Sequence, residues 1–523
     1  MRTDVIIIGS GPAAVHVARG LMDGGKTVTI IDGGQAAPAI MDDPIGNFED
    51  VRLCDADQWK HFLGEDLSGI PVEGIEGGHG GGMTSGNRSY VTRATDKHLP
   101  AETIDAFLVQ SLAVGGLGAA WGGACAFFDE HTIGELGLPQ TELERAMTNV
   151  VRYIGVSGPS GHPDLQPALP PDHHAARALS NYKASRSRFE ALGISLGQPC
   201  NAVLSSPLEN RSANTLNDMD YYTDHGRSIY RPQWTLEELI ARGCEYHPGW
   251  AVTRFEEDAG AVRVHARSIA DGTTRTWDST TLVLAAGAIG SARIAAASKN
   301  LVDTPLPFVA KPHGYVACVD AASLGRPGPK KRLSVCQLVM TDTTTDDHGL
   351  PSGAAQLYSY RSLMLYRLVS ALPLPVPQAM NLLAMLSPSL VLADVRFPAY
   401  RTDGHTLTLR RDGSIVVHGN AREWDAHKKS LSKLKKGLRL AGLLPVRTMR
   451  GPPGSSSHYA GTIPVSDDPK NFLRCDADGK IHGFDKVFVA DASMLRCLSP
   501  LPHTLTLMAN AYRIGTSLTR LPS

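Results

Sequence analysis

Two histidines near the C-terminus carry the side chains best suited to proton chemistry. His458 stands in SSSHYAGTIP (455–464), among serines, a glycine and a threonine, and His503 opens HTLTLMANAYRIG. An unperturbed imidazole titrates at about 6.5, so it can take or give a proton near neutrality. A single loop histidine is more often structural or exposed than catalytic. The residues around each one, and the elements that would hold them, decide between these readings.

The N-terminus offers a partner for such a base. DVIIIGSGPAA (4–14) is a short apolar strand running into a glycine turn, and VHVARGLMDGG continues as a helix. Gly9 makes the tight turn, Gly11 lets backbone approach a pyrophosphate, and the small Ala14 lets helix and strand pack, with Pro12 and Ala13 between them. The helix start supplies free N–H groups and a partial positive charge. A second strand, TVTIID, ends at Asp32 with Gly33 beside it; an acid placed there accepts from a ribose hydroxyl. Strand, turn, helix, strand and acid are all present in order, which points to a dinucleotide. NAD and FAD both satisfy this much.

AVGGLGAAWGGACA (113–126) is too glycine-rich for a helix interior and suits backbone pressed against a flat ligand at Gly115, Gly116 and Gly118. Trp121 either stacks nearby or fills core. GIEGGHGGGMTSG (74–86) has a similar composition without flanking strands and reads as a surface loop or lid. TLVLAAGAIGSARI (281–294) is a buried strand, then Ala286–Gly287, then a helix start. HPGWAVTRFEE (247–257) and AVRVHARS (261–268) alternate like a small sheet that brings Val252 to the first domain.

HYAGTIPVSDDPKNFLRCDADGKIHGFDKVFVADAS (458–493), followed by MLRCLSPLPHTLTLMANAYRIG, resembles the C-terminal signature of the glucose–methanol–choline flavin oxidoreductase family. The matching features are His458-x-x-Gly461-Thr462, the strand carrying Asp491 and Ala492, and the Thr504-Leu505-Thr506 start of a last helix. With the GxGPAA turn and GGLGAAW, the resemblance covers about half the chain. The nearest look is to bacterial members associated with polysaccharides or secondary metabolites. The resemblance implies FAD rather than NAD, with His458 as the base in oxidation of a CH–OH group. It also implies a Rossmann-like FAD-binding α/β domain in discontinuous segments, interleaved with a substrate domain built as a sheet with helices on one face. Some relatives attach FAD covalently through a histidine just before the tryptophan; Ala120 stands there, which implies non-covalent FAD. The family usually places Asn or His, then Pro, nine residues after the DAS serine. Here that pair reads Pro502-His503, so either a one-residue shift lets His503 serve or His458 acts alone. An epimerase or isomerase, oxidising and re-reducing one carbon, is the alternative activity.

The expected segments are 1–130, 226–300 and 451–523 for the FAD domain, and 131–225 and 301–450 for the substrate domain. The strand-like AAQLYSY, TLTLRRDG and SIVVHGN fall in the last of these. The segments follow from the resemblance; length alone implies two domains, since 523 residues exceed one compact core, and 42 % apolar residues allow a full core to be buried. With a net charge of −1, nothing argues for a nucleic-acid or strongly acidic partner, and none is expected. The expected partner is a small alcohol or sugar, with the electron acceptor, oxygen or another, left open. Eight scattered cysteines without a CxxC argue against zinc or a redox dithiol, leave no metal site in the reading, and fit a cytoplasmic setting. The uncharged stretch 371–393 contains Pro373, Pro375, Pro377 and Pro388, which would break a membrane helix; a buried or lid segment is expected, with membrane contact the lesser reading. WDAHKKSLSKLKKGLRLAG, from Trp424, reads as an amphipathic helix with a solvated basic face.

Overall fold

The apolar run Val5–Ile8 lies buried in the strand Thr3–Ile8, near the middle of a seven-stranded sheet. The structure is a computed structural model that describes residues 3–37, 50–51, 54–57, 86–159, 161–217, 223–258, 260–326, 334–359, 372–468 and 473–520. Thr3–Ile8 pairs in parallel with Val28–Ile31 on one side and with Thr274–Leu284 on the other. The second of these strands serves two ladders. Its first half pairs antiparallel with Ala261–Ser268, which pairs with Trp250–Asp258, and its last residues pair in parallel with Val487–Val489. A strand covered on both faces must be apolar throughout, as Ile6 and Ile7 are at 0 % exposure. Each such burial contributes about 1.5–3 kcal/mol. The helix Pro12–Asp23 follows the first strand and packs along the final helix Thr504–Leu518, which packs in turn on Gln140–Ile154. The N- and C-terminal motifs, nearly 500 positions apart, thus share one core.

The second sheet is antiparallel and six-stranded, in the order Leu443–Arg450, His313–Asp320, Leu390–Arg396, Pro351–Ser359, Leu338–Thr345, Ile194–Gly197. One face carries Val316, Cys318, Ala355, Leu357, Ala393 and Val395 into a core with Leu431, Leu434 and Leu438 of the helix Lys428–Leu440. The α/β architecture with a sheet covered by helices on one face matches the expectation. The basic helix buries its apolar stripe as expected, although Lys433 reaches the buried Asp342 at 3.3 Å.

Two expectations need correction. TLTL and IVVH do not join the second sheet: Thr406–Leu409 and Ile415–His418 form a separate four-stranded sheet with Pro305–Pro307 and Ala101–Ile104. Its Leu306, Leu407 and Ile415 pack into the core of the first body, because their strands alternate apolar side chains toward that core. Most of 131–225 belongs there too: Leu136, Leu143, Val150 and Ile154 pack in the same core, and only 173–197 contributes helices and a strand to the second body. Of 371–393, Leu390, Val391 and Ala393 are buried in the strand Leu390–Arg396, while Leu374, Val376 and Met385 are 43 %, 64 % and 74 % exposed, Val376 and Met385 on the helix Val376–Leu386. Among the described residues no helix is long and apolar enough to cross a membrane. Residues 74–85 of the second glycine-rich run lie outside the described residues.

Candidate active site

A cavity of about 530 Å³ runs from the first glycine turn to the inner face of the six-stranded sheet. Its size is that of a cofactor or ligand site. Its first end is built at the strand–turn–helix junction. Gly9 sits at φ +101°, and a Cβ there would lie 2.6 Å from the Ala285 carbonyl oxygen. Only a glycine lets the turn touch the Ala285–Gly287 turn of the neighbouring strand. Asp32 ends the second strand and accepts from Ser10 Oγ (2.7 Å), Tyr246 OH (3.0 Å) and the Gly34 amide (3.1 Å). Burial nevertheless pushes its carboxyl up to about 6. Every residue expected at the cofactor lines this cavity except Ala14 and Gly115. Ala14 is packed at 0 % exposure inside the helix face. Gly115 stands one step back, its amide donating to Ser10 Oγ at 2.9 Å and so linking the middle glycine run to Asp32.

Trp121 lines the wall and donates from Nε1 to the Tyr230 carbonyl at 2.6 Å, which fixes the ring. Ala120 also lines the wall and offers no atom for a covalent bond. Asp491 is both buried and a cap: it accepts from the Ser493 amide at 2.8 Å and from Ser291 Oγ at 2.5 Å, joining the last parallel strand to the helix Gly287–Ser298.

The histidine loop is held to this frame by its own motif. Tyr459–Ala460 pairs with Val309–Ala310. Gly461 adopts φ +70°, and a Cβ there would meet Val309 Cγ2 at 2.8 Å. Thr462 Oγ1 donates to the Ala288 carbonyl at 2.8 Å, which ties the loop to the turn at Gly287. The spacing HxxGT therefore sets how far His458 stands from the dinucleotide turn. His503 is the N-cap residue of the final helix. The two imidazoles face one cavity, with ring centroids 5.1 Å apart and planes at 73°. The Pro-His order thus still delivers a second histidine beside the first.

Two basic residues that the sequence reading missed hold the pair, and burial pushes Lys311 well below the usual lysine range. Lys311 is fully buried; its amide donates to the His458 carbonyl at 3.1 Å and its Nζ to the Leu501 carbonyl at 2.9 Å. One residue thereby spans both histidine loops. Arg396 Nη1 lies 3.4 Å from both ring nitrogens of His458, so the guanidinium addresses the ring rather than one lone pair. Its Nη2 donates to Asp394 Oδ2 at 2.7 Å. Burial, then Arg396 and Lys311, holds His458 well below the usual imidazole range; burial, then Lys311 and Arg396, does the same for His503. Lys311 has no motif to flag it. Asp394 and Arg396 left one signal: two charges at i and i+2 in the apolar strand LVLADVRF must point to the same face.

No protein-family model matches this chain, and no curated protein matches it in sequence. Its fold matches many solved chains, among them pyridoxine 4-oxidase from Mesorbium loti. The match has a TM-score of 0.58 and covers 100 % of both chains. The fold is shared from end to end. At 14 % identity the likeness establishes architecture alone, and that architecture is the one implied by the resemblance to the flavin oxidoreductases.

Proposed function

We propose that the protein is a flavin-dependent oxidoreductase acting on the CH–OH group of a sugar, polyol or related natural-product alcohol, with His458 as the base. The observation that carries this reading is one cavity walled by the Gly9–Gly11 strand–turn–helix junction at one end and by two histidines at the other. The residues fit FAD: Gly9 and Gly11 leave backbone open to a pyrophosphate, Asp32 is placed for a ribose hydroxyl, and Ala120 fits non-covalent binding. When bound, the flavin supplies the hydride acceptor.

The chain's own part is proton handling and placement. His458 is unprotonated because its burial and the neighbouring Arg396 and Lys311 disfavour an imidazolium. It can therefore take the hydroxyl proton at a ring nitrogen as the carbon is oxidised. His503 Nδ1 is buried without a hydrogen-bond partner and lines the same cavity, so it is free to bind the substrate oxygen. Lys311 keeps both loops in register. Anaerobic mixing of the flavin-loaded protein with alcohols tests the reading: lasting loss of the flavin's visible absorbance is expected, and no bleaching by any alcohol overturns it.

Two pH dependences follow. The base form of His458 persists as pH falls through the ordinary 6.5, so kcat/KM stays level between about pH 8 and 6. An inflection near 6.5 that vanishes in a His458 variant would contradict this. Asp32 accepts a ribose hydroxyl best as carboxylate, so FAD affinity falls as pH drops through about 6. In the cofactor-free protein the sign is opposite. The folded state holds that proton where the unfolded chain has lost it, so stability from this group declines as pH rises from about 4 to about 6. Titrating apoprotein with FAD at several pH values, and melting it at the same values, checks both.

A further inference from the structure

The register of the six-stranded sheet writes the substrate wall as rows. His313 pairs with Arg396 in the row nearest the histidines. Tyr315, Asp394 and Gln356 form the next row across three strands. Leu392 and Tyr358 form the third. Side chains two apart on a strand share a face, and all of these line the cavity. The wall therefore passes from charged to polar to largely apolar with distance from the histidines.

The middle row holds two unsatisfied groups. Asp394 is 5 % exposed; its Oδ2 is occupied by Arg396, while Oδ1 has no hydrogen-bond partner, and His313 Nε2 is 4.0 Å away. Gln356 is 3 % exposed; its Oε1 accepts from Tyr358 OH at 3.2 Å, while Nε2 has no partner. Buried polar groups left unpaired are costly and therefore rare. Here an acceptor and a donor lie on directly opposed residues of adjacent strands, about 5 Å apart at Cβ.

We propose that Asp394 and Gln356 read the far edge of the substrate, which carries a hydroxyl or N–H donor beside an oxygen or nitrogen acceptor. Asp394 Oδ1 accepts from the donor and Gln356 Nε2 donates to the acceptor. Two residues along a strand span about 7 Å, the reach across one six-membered ring with a substituent at each end. The substrate is then a single-ring alcohol whose CH–OH lies at the histidines, whose opposite edge lies on Asp394 and Gln356, and whose apolar flank lies on Leu392 and Tyr358. This deepens the alcohol-oxidising reading and rests on it for the identity of the reacting end.

The test separates the two. The flavin-loaded enzyme is titrated with 2-methoxy-4-methylphenol, which has the adjacent donor and acceptor but no CH–OH, and with 3,4-dimethoxytoluene, which lacks the donor. The phenol is expected to bind at least about 10-fold tighter, the factor one hydrogen bond to a carboxylate supplies. Asp394→Asn keeps an oxygen for Arg396 but presents N–H to the ligand, and is expected to abolish or reverse the preference. Gln356→Leu is expected to weaken both ligands about 10-fold. Equal binding of the two ligands, no binding of either, or an unchanged preference in Asp394→Asn overturns the inference. Separately, 4-hydroxy-3-methoxybenzyl alcohol is expected to bleach the flavin; preserved discrimination with no bleaching by this or any other alcohol would sink the oxidation reading and leave the edge standing.

Discussion

Replacing His458 with alanine is expected to lower kcat by about 10²–10⁴-fold while FAD remains bound, the range a positioned general base contributes. The loss should fall on kcat more than on KM, since the ring acts on a proton that moves only during reaction. The protein should still fold: the His458 loop is held by Tyr459, Gly461 and Thr462 through contacts that do not use the imidazole. Tyr459 OH donates to the Gly454 carbonyl at 2.7 Å and accepts from the Val109 amide at 2.9 Å, anchoring the loop independently. Stopped-flow bleaching at saturating alcohol reads the effect directly. A His458→Ala enzyme with an unchanged reduction rate would remove this residue from the chemistry and leave His503 as the only imidazole of the pair.

Gly9→Ala is expected to leave a protein that melts earlier and purifies without flavin. The backbone at φ +101° costs a non-glycine residue about 1–3 kcal/mol. The new methyl would also overlap the Ala285 carbonyl at 2.6 Å, and no flexible side chain is there to yield. Relief requires the turn at Ala285–Gly287 to move away from the first strand, which opens the cavity wall proposed to hold the cofactor. FAD affinity should fall by at least about 10-fold, with the strain the main contribution. Gly134→Ala is the matched control: it lies in the helix Glu130–Leu136, an added Cβ meets nothing within 4 Å, and a gain of about 0.5–1 kcal/mol is expected. Flavin absorbance per protein and the melting temperature, measured on both variants, distinguish a local clash from a general intolerance of mutation. Wild-type flavin content in Gly9→Ala would show that the turn is not the cofactor's seat.

How much was legible depended on whether chemistry was written locally. The glycine turn, Asp32, the HxxGT loop and the start of the last helix were each readable within a few residues, because tight turns, capping and close backbone approach restrict residue type at fixed offsets. His503 was readable as a candidate, but its partnership with His458 was not. The two lie 45 positions apart, and the order Pro502-His503 differs from the usual one. Their 5.1 Å separation follows from Lys311, which bonds to both loops from a third segment.

The misplaced strands failed for a related reason. TLTL and IVVH alternate as strands should, and alternation reveals an element without saying which sheet completes it. TLTL pairs with Pro305–Pro307, about 100 residues earlier, and IVVH with Ala101–Ile104, some 300 residues earlier, and no local signal records either partner. Asp394 and Gln356 share the difficulty: each is an ordinary polar residue in its own strand, and only the register places an unpaired carboxylate oxygen opposite an unpaired amide.

By itself the sequence determined the dinucleotide turn, the strand and helix character of most segments, and the identity of one histidine, since these depend on steric limits and periodicity within a few residues. Tertiary structure alone decided that both histidines share a cavity, that burial beside Arg396 and Lys311 holds their imidazoles below the ordinary range, and that an unpaired acceptor and an unpaired donor lie opposite each other on one wall. Those properties are distances and desolvation between distant segments. Both quantities are created when the segments pack, and neither exists in the chain before it folds.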